Sequence, residues 1–161
     1  GRRRLSVAPR LSLRVAATLA AAFAIAVSAE PSLQTAKTSP AELDYLQFCS
    51  GCHQSDGSGS VSNHVPRLPG SVGHFTRSAK GRAFLVQVGG VAQAPISDAQ
   101  VAALLNWMLP AFDRANLPAD FTPYTVDEVT RARAHRPGDI AAARAQVVDT
   151  LKAQGIEVAK Y

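Results

Sequence analysis

Apolar side chains recur at helical spacing in five stretches of this chain, and nowhere do they alternate convincingly as a half-buried strand requires. The first stretch follows Ser39-Pro40-Ala41-Glu42, a capping box with proline at the first helical position, where its missing N–H costs nothing. The helix it opens, over about 40–49, sets Leu43 and Leu46 on one face and Tyr45 and Phe48 on another, so burial on two sides is expected. Phe84, Leu85 and Val88 predict a second helix over 81–88, ended by Gly89-Gly90. Ser97-Asp98-Ala99-Gln100 is another capping box, followed by Val101, Leu104, Leu105 and Met108, and Pro110 closes that helix. A third box, Thr125-Val126-Asp127-Glu128, opens a short helix to about His135, and Pro137 and Gly138 break it. Asp139 then caps a last amphipathic helix carrying Ile140, Val147, Val148 and Leu151. The stretch 54–73, with four Gly, two Pro and five Ser, reads as loop. No internal repeat is visible, and the predicted fold class is all-α.

The 161 residues suit one globular domain with extensions and exclude a large multidomain enzyme. The formal charge of +5 would by itself suggest a polyanionic partner, but its distribution changes the picture. Arg2, Arg3, Arg4, Arg10 and Arg14 precede an apolar run at 15–27, which ends in the small residues Val27-Ser28-Ala29. A basic start, a short apolar run and a small-residue end are the parts of a secretory signal peptide, here 1–29. The run is shorter than the roughly 20 residues that cross a bilayer, so no membrane span is expected in the mature chain. The alternative is an uncleaved N-terminal anchor. The leader holds five of the 17 Lys and Arg and no acid, which leaves 12 basic against 12 acidic groups from residue 30 onward. That balance removes the case for a nucleic-acid partner. Residues 30–39 read as a linker.

Only two cysteines occur, in Cys49-Ser50-Gly51-Cys52-His53. C-x-x-C-H is the attachment motif of a c-type haem, in which both thiols add to vinyl groups and the adjacent imidazole ligates iron. Two intervening residues let one turn of chain carry both sulfurs along one porphyrin edge, with the histidine beneath the ring. Cys49 and Cys52 are the expected thioether residues, His53 is the expected iron ligand, and a single haem c is the expected cofactor. Rival readings are a thioredoxin-like dithiol, which wants a βαβ context, a simple disulfide, and a zinc site completed by His64 or His74.

With its preceding helix, the run from Cys49 to Gly59, the later Val65-Pro66-Arg67-Leu68-Pro69-Gly70, and the helix from Ile96 to Trp107, the chain resembles a class I c-type cytochrome over about 40–112. The resemblance implies a small helical fold around one haem, with Pro66 offering its carbonyl to His53 and Trp107 packing on the first helix. It also implies a periplasmic one-electron carrier, not an enzyme, working between a dehydrogenase and a downstream acceptor. Residues 113–161 lie outside the usual core; as a helical extension they wrap the haem domain or dock on a larger enzyme, and wrapping is favoured.

One departure bears on function. The family usually carries its sixth iron ligand, a methionine, in the loop before the final helix, and Gly89-Gly90-Val91-Ala92-Gln93-Ala94-Pro95-Ile96 has none. Met108, on the apolar stripe of a helix, His74, Gln93 or an open position are the candidates. An open position would suit a haem sensor, a small-ligand binder or a weak peroxidase. Residues 57–96 contain no acid but hold Arg67, Arg77, Lys80 and Arg82, a candidate positive rim for an acidic redox partner.

Overall fold

In the computed structural model, Gly1 and residues 37–159 are described. The chain divides into two units, Gly1–Thr35 and Ala36–Tyr161, and every described helix belongs to the second. The expected leader and most of the linker lie outside the described residues.

The described residues are helical, with no strand and one isolated bridge between Ser60 and Val65. The helices are α1 (Pro40–Phe48), α2 (Ser50–His53), α3 (Val72–Phe75), α4 (Ala79–Gln87), α5 (Gly89–Ala92), α6 (Asp98–Asp113), α7 (Val126–Ala134) and α8 (Ile140–Ala153). None is long and apolar enough to cross a membrane among the residues described. Both predicted capping boxes at Ser39 and Ser97 form, each hydroxyl accepting from the backbone three residues on and each N-cap N–H returned to the Glu or Gln side chain. The third is half-formed. Thr125 accepts from the Glu128 N–H, but the Glu128 carboxylate is turned away to Arg82.

The core is organised on α6, whose Val101, Leu104, Leu105 and Leu109 are all essentially inaccessible. Burial of each such side chain stabilises by about 1.5–3 kcal/mol. Contrary to the sequence expectation, Pro110 does not end this helix, which continues to Asp113. A mid-helix proline costs about 3 kcal/mol. The last turn is held by tertiary contacts: Phe112 packs on Tyr45, and the buried Asp113 carboxylate accepts from the N–H groups of Gly70 and Gly73 at 2.9 and 2.7 Å.

Other boundaries also differ from expectation. Ser78 caps α4, so that helix starts two residues earlier than predicted, and Gly89-Gly90 begin the short α5 after an extended Val88. The predicted loop ends at Val72, where α3 begins. Helix α1 is buried on one side only: Tyr45 is 1% exposed, whereas Leu43 and Leu46 are 54% and 43% exposed. Helix α1 packs on α6, and Leu43 and Leu46 remain exposed.

The C-terminal helices lie against the rest of this unit. Helix α7 packs on α4 and α6, and α8 packs on α3 and α4, so Val129, Val147 and Leu151 join the same apolar cluster as Leu104. Asn106 binds the chain before α7 in both directions, its amide donating to the Tyr124 carbonyl and accepting from the Tyr124 N–H.

Candidate functional site

The site begins where α1 gives way to α2. Cys49 is the joint, with φ −121° and ψ −37°, and its carbonyl accepts from both Cys52 N–H (3.1 Å) and His53 N–H (2.9 Å). That single tight turn places Cys52 and His53 in the short helix α2 with Cys49 as its N-cap. Gln54, at φ +65°, then stops it. The stop is held from below: the Tyr45 hydroxyl donates to the Gln54 carbonyl at 2.6 Å. Burial pushes the Tyr45 phenol up to about 12, so it stays a donor across the working pH range. Tyr45 itself sits in an aromatic group with Trp107 and Phe112, at centroid distances of 5.6 and 4.8 Å. Trp107 thus packs on the first helix.

The loop after the motif folds back on it. Ser60 and Val65 exchange two backbone hydrogen bonds, and Gly59 N–H donates to the His53 carbonyl at 2.9 Å. This brings Pro66 to His53, whose Nδ1 lies 3.1 Å from the Pro66 carbonyl oxygen. A carbonyl can only accept, so the imidazole proton sits on Nδ1 and the lone pair on Nε2. Burial lowers the His53 pKa and the Pro66 bond partly offsets it, which favours the neutral ring a metal ligand needs. Gly59 is required here. Its φ is +70°, and a Cβ would stand 2.5 Å from the Val65 oxygen and 2.8 Å from the Pro66 oxygen.

Both cysteines are outside any disulfide, Cys49 half-buried and Cys52 exposed. Burial first, then the charges of Asp44 and Cys52, push the Cys49 thiol up, the opposite of an activated redox thiolate. Among the described residues no three His, Cys, Asp or Glu side chains gather as a zinc site would need. His64 sits in the exposed turn before Val65 at φ +55°.

The other residues singled out by sequence fall elsewhere. Met108 is buried in the α6 core cluster. His74, on α3, accepts at Nδ1 from Arg77 Nε at 3.4 Å. Gln93 is exposed at the end of α5. Of the four cations expected to form a rim, Arg67, Arg77 and Lys80 are exposed, but Arg82 is withdrawn. Its Nε and Nη2 reach the two Glu128 oxygens at 2.7 and 2.8 Å, and its guanidinium lies 4.0 Å above the Tyr124 ring. The acid that neutralises it, Glu128, comes from α7, far outside the acid-free stretch 57–96.

A helical protein with two unpaired thiols and a neutral, oriented imidazole on one turn has the donor set of a covalent haem site. No family model matches this chain. Cytochrome c-552 of Thermus thermophilus is 30% identical over 106 residues, covering 55% of this chain and 80% of that protein. A second cytochrome c-552, from a particular strain of Thermus thermophilus, is likewise 30% identical over 106 residues, covering 55% of this chain and 71% of its own. The chain belongs to the c-type cytochromes, all-α electron-transfer proteins carrying covalently bound haem c.

Proposed function

We propose that this chain is a monohaem class I c-type cytochrome acting in the periplasm as a one-electron carrier between a dehydrogenase and a downstream acceptor. Residues 1–29 are its export signal, 40–112 its haem domain and 113–161 its helical extension. Cys49 and Cys52 hold the haem through thioether bonds and His53 ligates the iron. The observation that carries the reading is the hydrogen bond from His53 Nδ1 to the Pro66 carbonyl beside two unpaired thiols.

The haem supplies the one-electron ferric/ferrous couple. The chain's contribution is to hold and tune it. The Pro66 carbonyl fixes the imidazole tautomer and raises its basicity, which favours the ferric state. Tyr45, bonded to the Gln54 carbonyl, keeps the histidine turn from unwinding. Arg67, Arg77 and Lys80 supply positive surface for an acidic partner, through a small interface suited to fast release.

A second reading, a haem sensor, small-ligand binder or weak peroxidase, is favoured by one observation: the 89–96 segment offers no methionine, and the chain's Met108 lies in the core. Absorption spectra of the reduced protein with and without carbon monoxide decide between them. The carrier reading predicts an unchanged spectrum, and rapid carbon monoxide binding would overturn it.

A further inference from the structure

Tyr45 bonds to both ends of the segment that carries Cys49, Cys52 and His53. Its carbonyl accepts from the Cys49 N–H at 2.9 Å, where α1 ends, and its hydroxyl donates to the Gln54 carbonyl at 2.6 Å, where α2 ends. The ring between these two bonds is fixed, 1% exposed and packed against Trp107 and Phe112. A phenylalanine ring would fill the same space, so packing alone does not call for the hydroxyl. Its bond goes to the residue that follows the histidine.

That residue is strained. Among the described residues other than glycine, Gln54 and His64 alone have positive φ. Gln54 stands at φ +65° and ψ 163°, a region that only glycine enters freely and that persists elsewhere only where neighbours enforce it. Here its N–H donates to the Ser50 carbonyl at 2.8 Å, and its carbonyl accepts from Tyr45 and, at 3.3 Å, from the Gly57 N–H. The strained residue sits between two parts of the His53 environment. Before it, the Cys49 carbonyl holds the His53 N–H at 2.9 Å. After it, the chain doubles back: Gly59 N–H reaches the His53 carbonyl, and the Ser60–Val65 bridge delivers the Pro66 carbonyl to within 3.1 Å of the imidazole Nδ1. Were Gln54 to relax to an ordinary conformation, the loop would leave α2 in another direction and carry Pro66 with it.

We propose that the Tyr45 hydroxyl holds Gln54 in this strained conformation, and that Tyr45 is thereby a positioning residue for His53, setting the strength of the His53–Pro66 hydrogen bond and through it the reduction potential. The proposal rests on the haem reading above, in which the His53 ring ligates the iron. The sign follows from the chemistry of the ring. A firm bond from Nδ1–H to a carbonyl makes the imidazole a stronger electron donor and favours the ferric state, so loosening the hold raises the potential. The strain adds a second requirement. With glycine at position 54 the same backbone conformation is freely accessible, and the hydroxyl becomes dispensable.

The test compares the haem-loaded full chain with its Tyr45→Phe, Gln54→Gly and Tyr45→Phe/Gln54→Gly variants. Proton NMR of the reduced protein follows exchange of the His53 Nδ1–H with deuterium oxide, and a spectroelectrochemical titration gives the reduction potential. Tyr45→Phe is expected to speed that exchange on the order of three- to tenfold and to shift the ferric/ferrous equilibrium about threefold toward the ferrous form. In the Gln54→Gly background the same change is expected to move neither readout. Unchanged exchange in Tyr45→Phe, or a potential that stays or falls, would overturn the proposal. So would a Tyr45→Phe effect as large with glycine at position 54 as with glutamine. Should Tyr45→Phe fail to retain haem, the double variant decides: recovered haem supports the hold, and continued loss overturns it. A parent chain emerging without covalent haem would instead sink the haem reading, and its spectrum reveals this before any variant is compared.

Discussion

A double-mutant cycle on Arg82 and Glu128 measures how firmly α7 is held on α4. The pair is two-pronged, with Nε–Oε1 at 2.7 Å and Nη2–Oε2 at 2.8 Å, and the two side chains are 13% and 26% exposed. Charge-assisted hydrogen bonds contribute about 1.5–3 kcal/mol each when buried, and exposed ion pairs about 0.2–1 kcal/mol. Partial exposure places this pair between those limits, so a coupling energy of about 1 kcal/mol is expected. Arg82→Met also removes the bond from Nη1 to the Thr122 carbonyl at 2.9 Å and the cation–ring contact with Tyr124 at 4.0 Å. That single change should cost about 2–3 kcal/mol, against about 1–1.5 kcal/mol for Glu128→Gln. In a unit of this size the arginine change corresponds to a melting temperature lower by about 5–10 °C. Urea unfolding of the four haem-loaded proteins at neutral pH, at low and high salt, gives the cycle. Single losses that simply add, with coupling below about 0.3 kcal/mol, would refute the reasoning and return Arg82 to the positive rim.

Three further outcomes rest on individual contacts. Gly59→Ala forces a Cβ against the Val65 and Pro66 oxygens at positive φ, so it should destabilise by about 2–4 kcal/mol and shift the reduction potential; an unchanged potential would mean that the Pro66 carbonyl does not tune His53. Asp113→Ala leaves the Gly70 and Gly73 N–H groups unpaired, with an expected loss of about 3 kcal/mol in urea unfolding; a loss under about 1 kcal/mol would show that solvent replaces the carboxylate. Bonds from Thr130 first, then from Arg133, hold the Asp98 carboxyl below its ordinary value of 3.8. Its folded pKa is depressed, so its stabilisation is fully present above about pH 4 and is lost as pH falls through the folded value. Asp98→Asn should flatten the acid limb of stability against pH, and an acid limb identical to the parent's contradicts this.

Local chemistry is legible in the sequence where a few adjacent residues decide it. The capping boxes at Ser39 and Ser97, the turn Cys49 to His53 and the cap at Asp139 all depend on partners within four positions. Pro110 misleads because local propensity opposes a helix there, and the contacts that override it, from Phe112 to Tyr45 and from Asp113 to Gly70, span tens of residues. The same distance hides Arg82 with Glu128 and Arg133 with the 91–96 carbonyls, since a carbonyl acceptor has no sequence signature at all. Glu128 shows how the levels compete: its position spells a capping box, and a stronger distant charge claims its side chain. The family resemblance supplied Pro66, which the spacing of residues did not.

Covalent attachment of one haem through Cys49 and Cys52 is the central claim, and intact mass spectrometry of the denatured chain tests it most directly. The chain is produced by export in a host that matures c-type cytochromes. The account predicts a mass equal to the mature polypeptide plus one haem, with neither thiol open to alkylation, and loss of that adduct in Cys49→Ala/Cys52→Ala. A bare polypeptide with two alkylatable thiols, or a haem adduct that persists in the double variant, would contradict it.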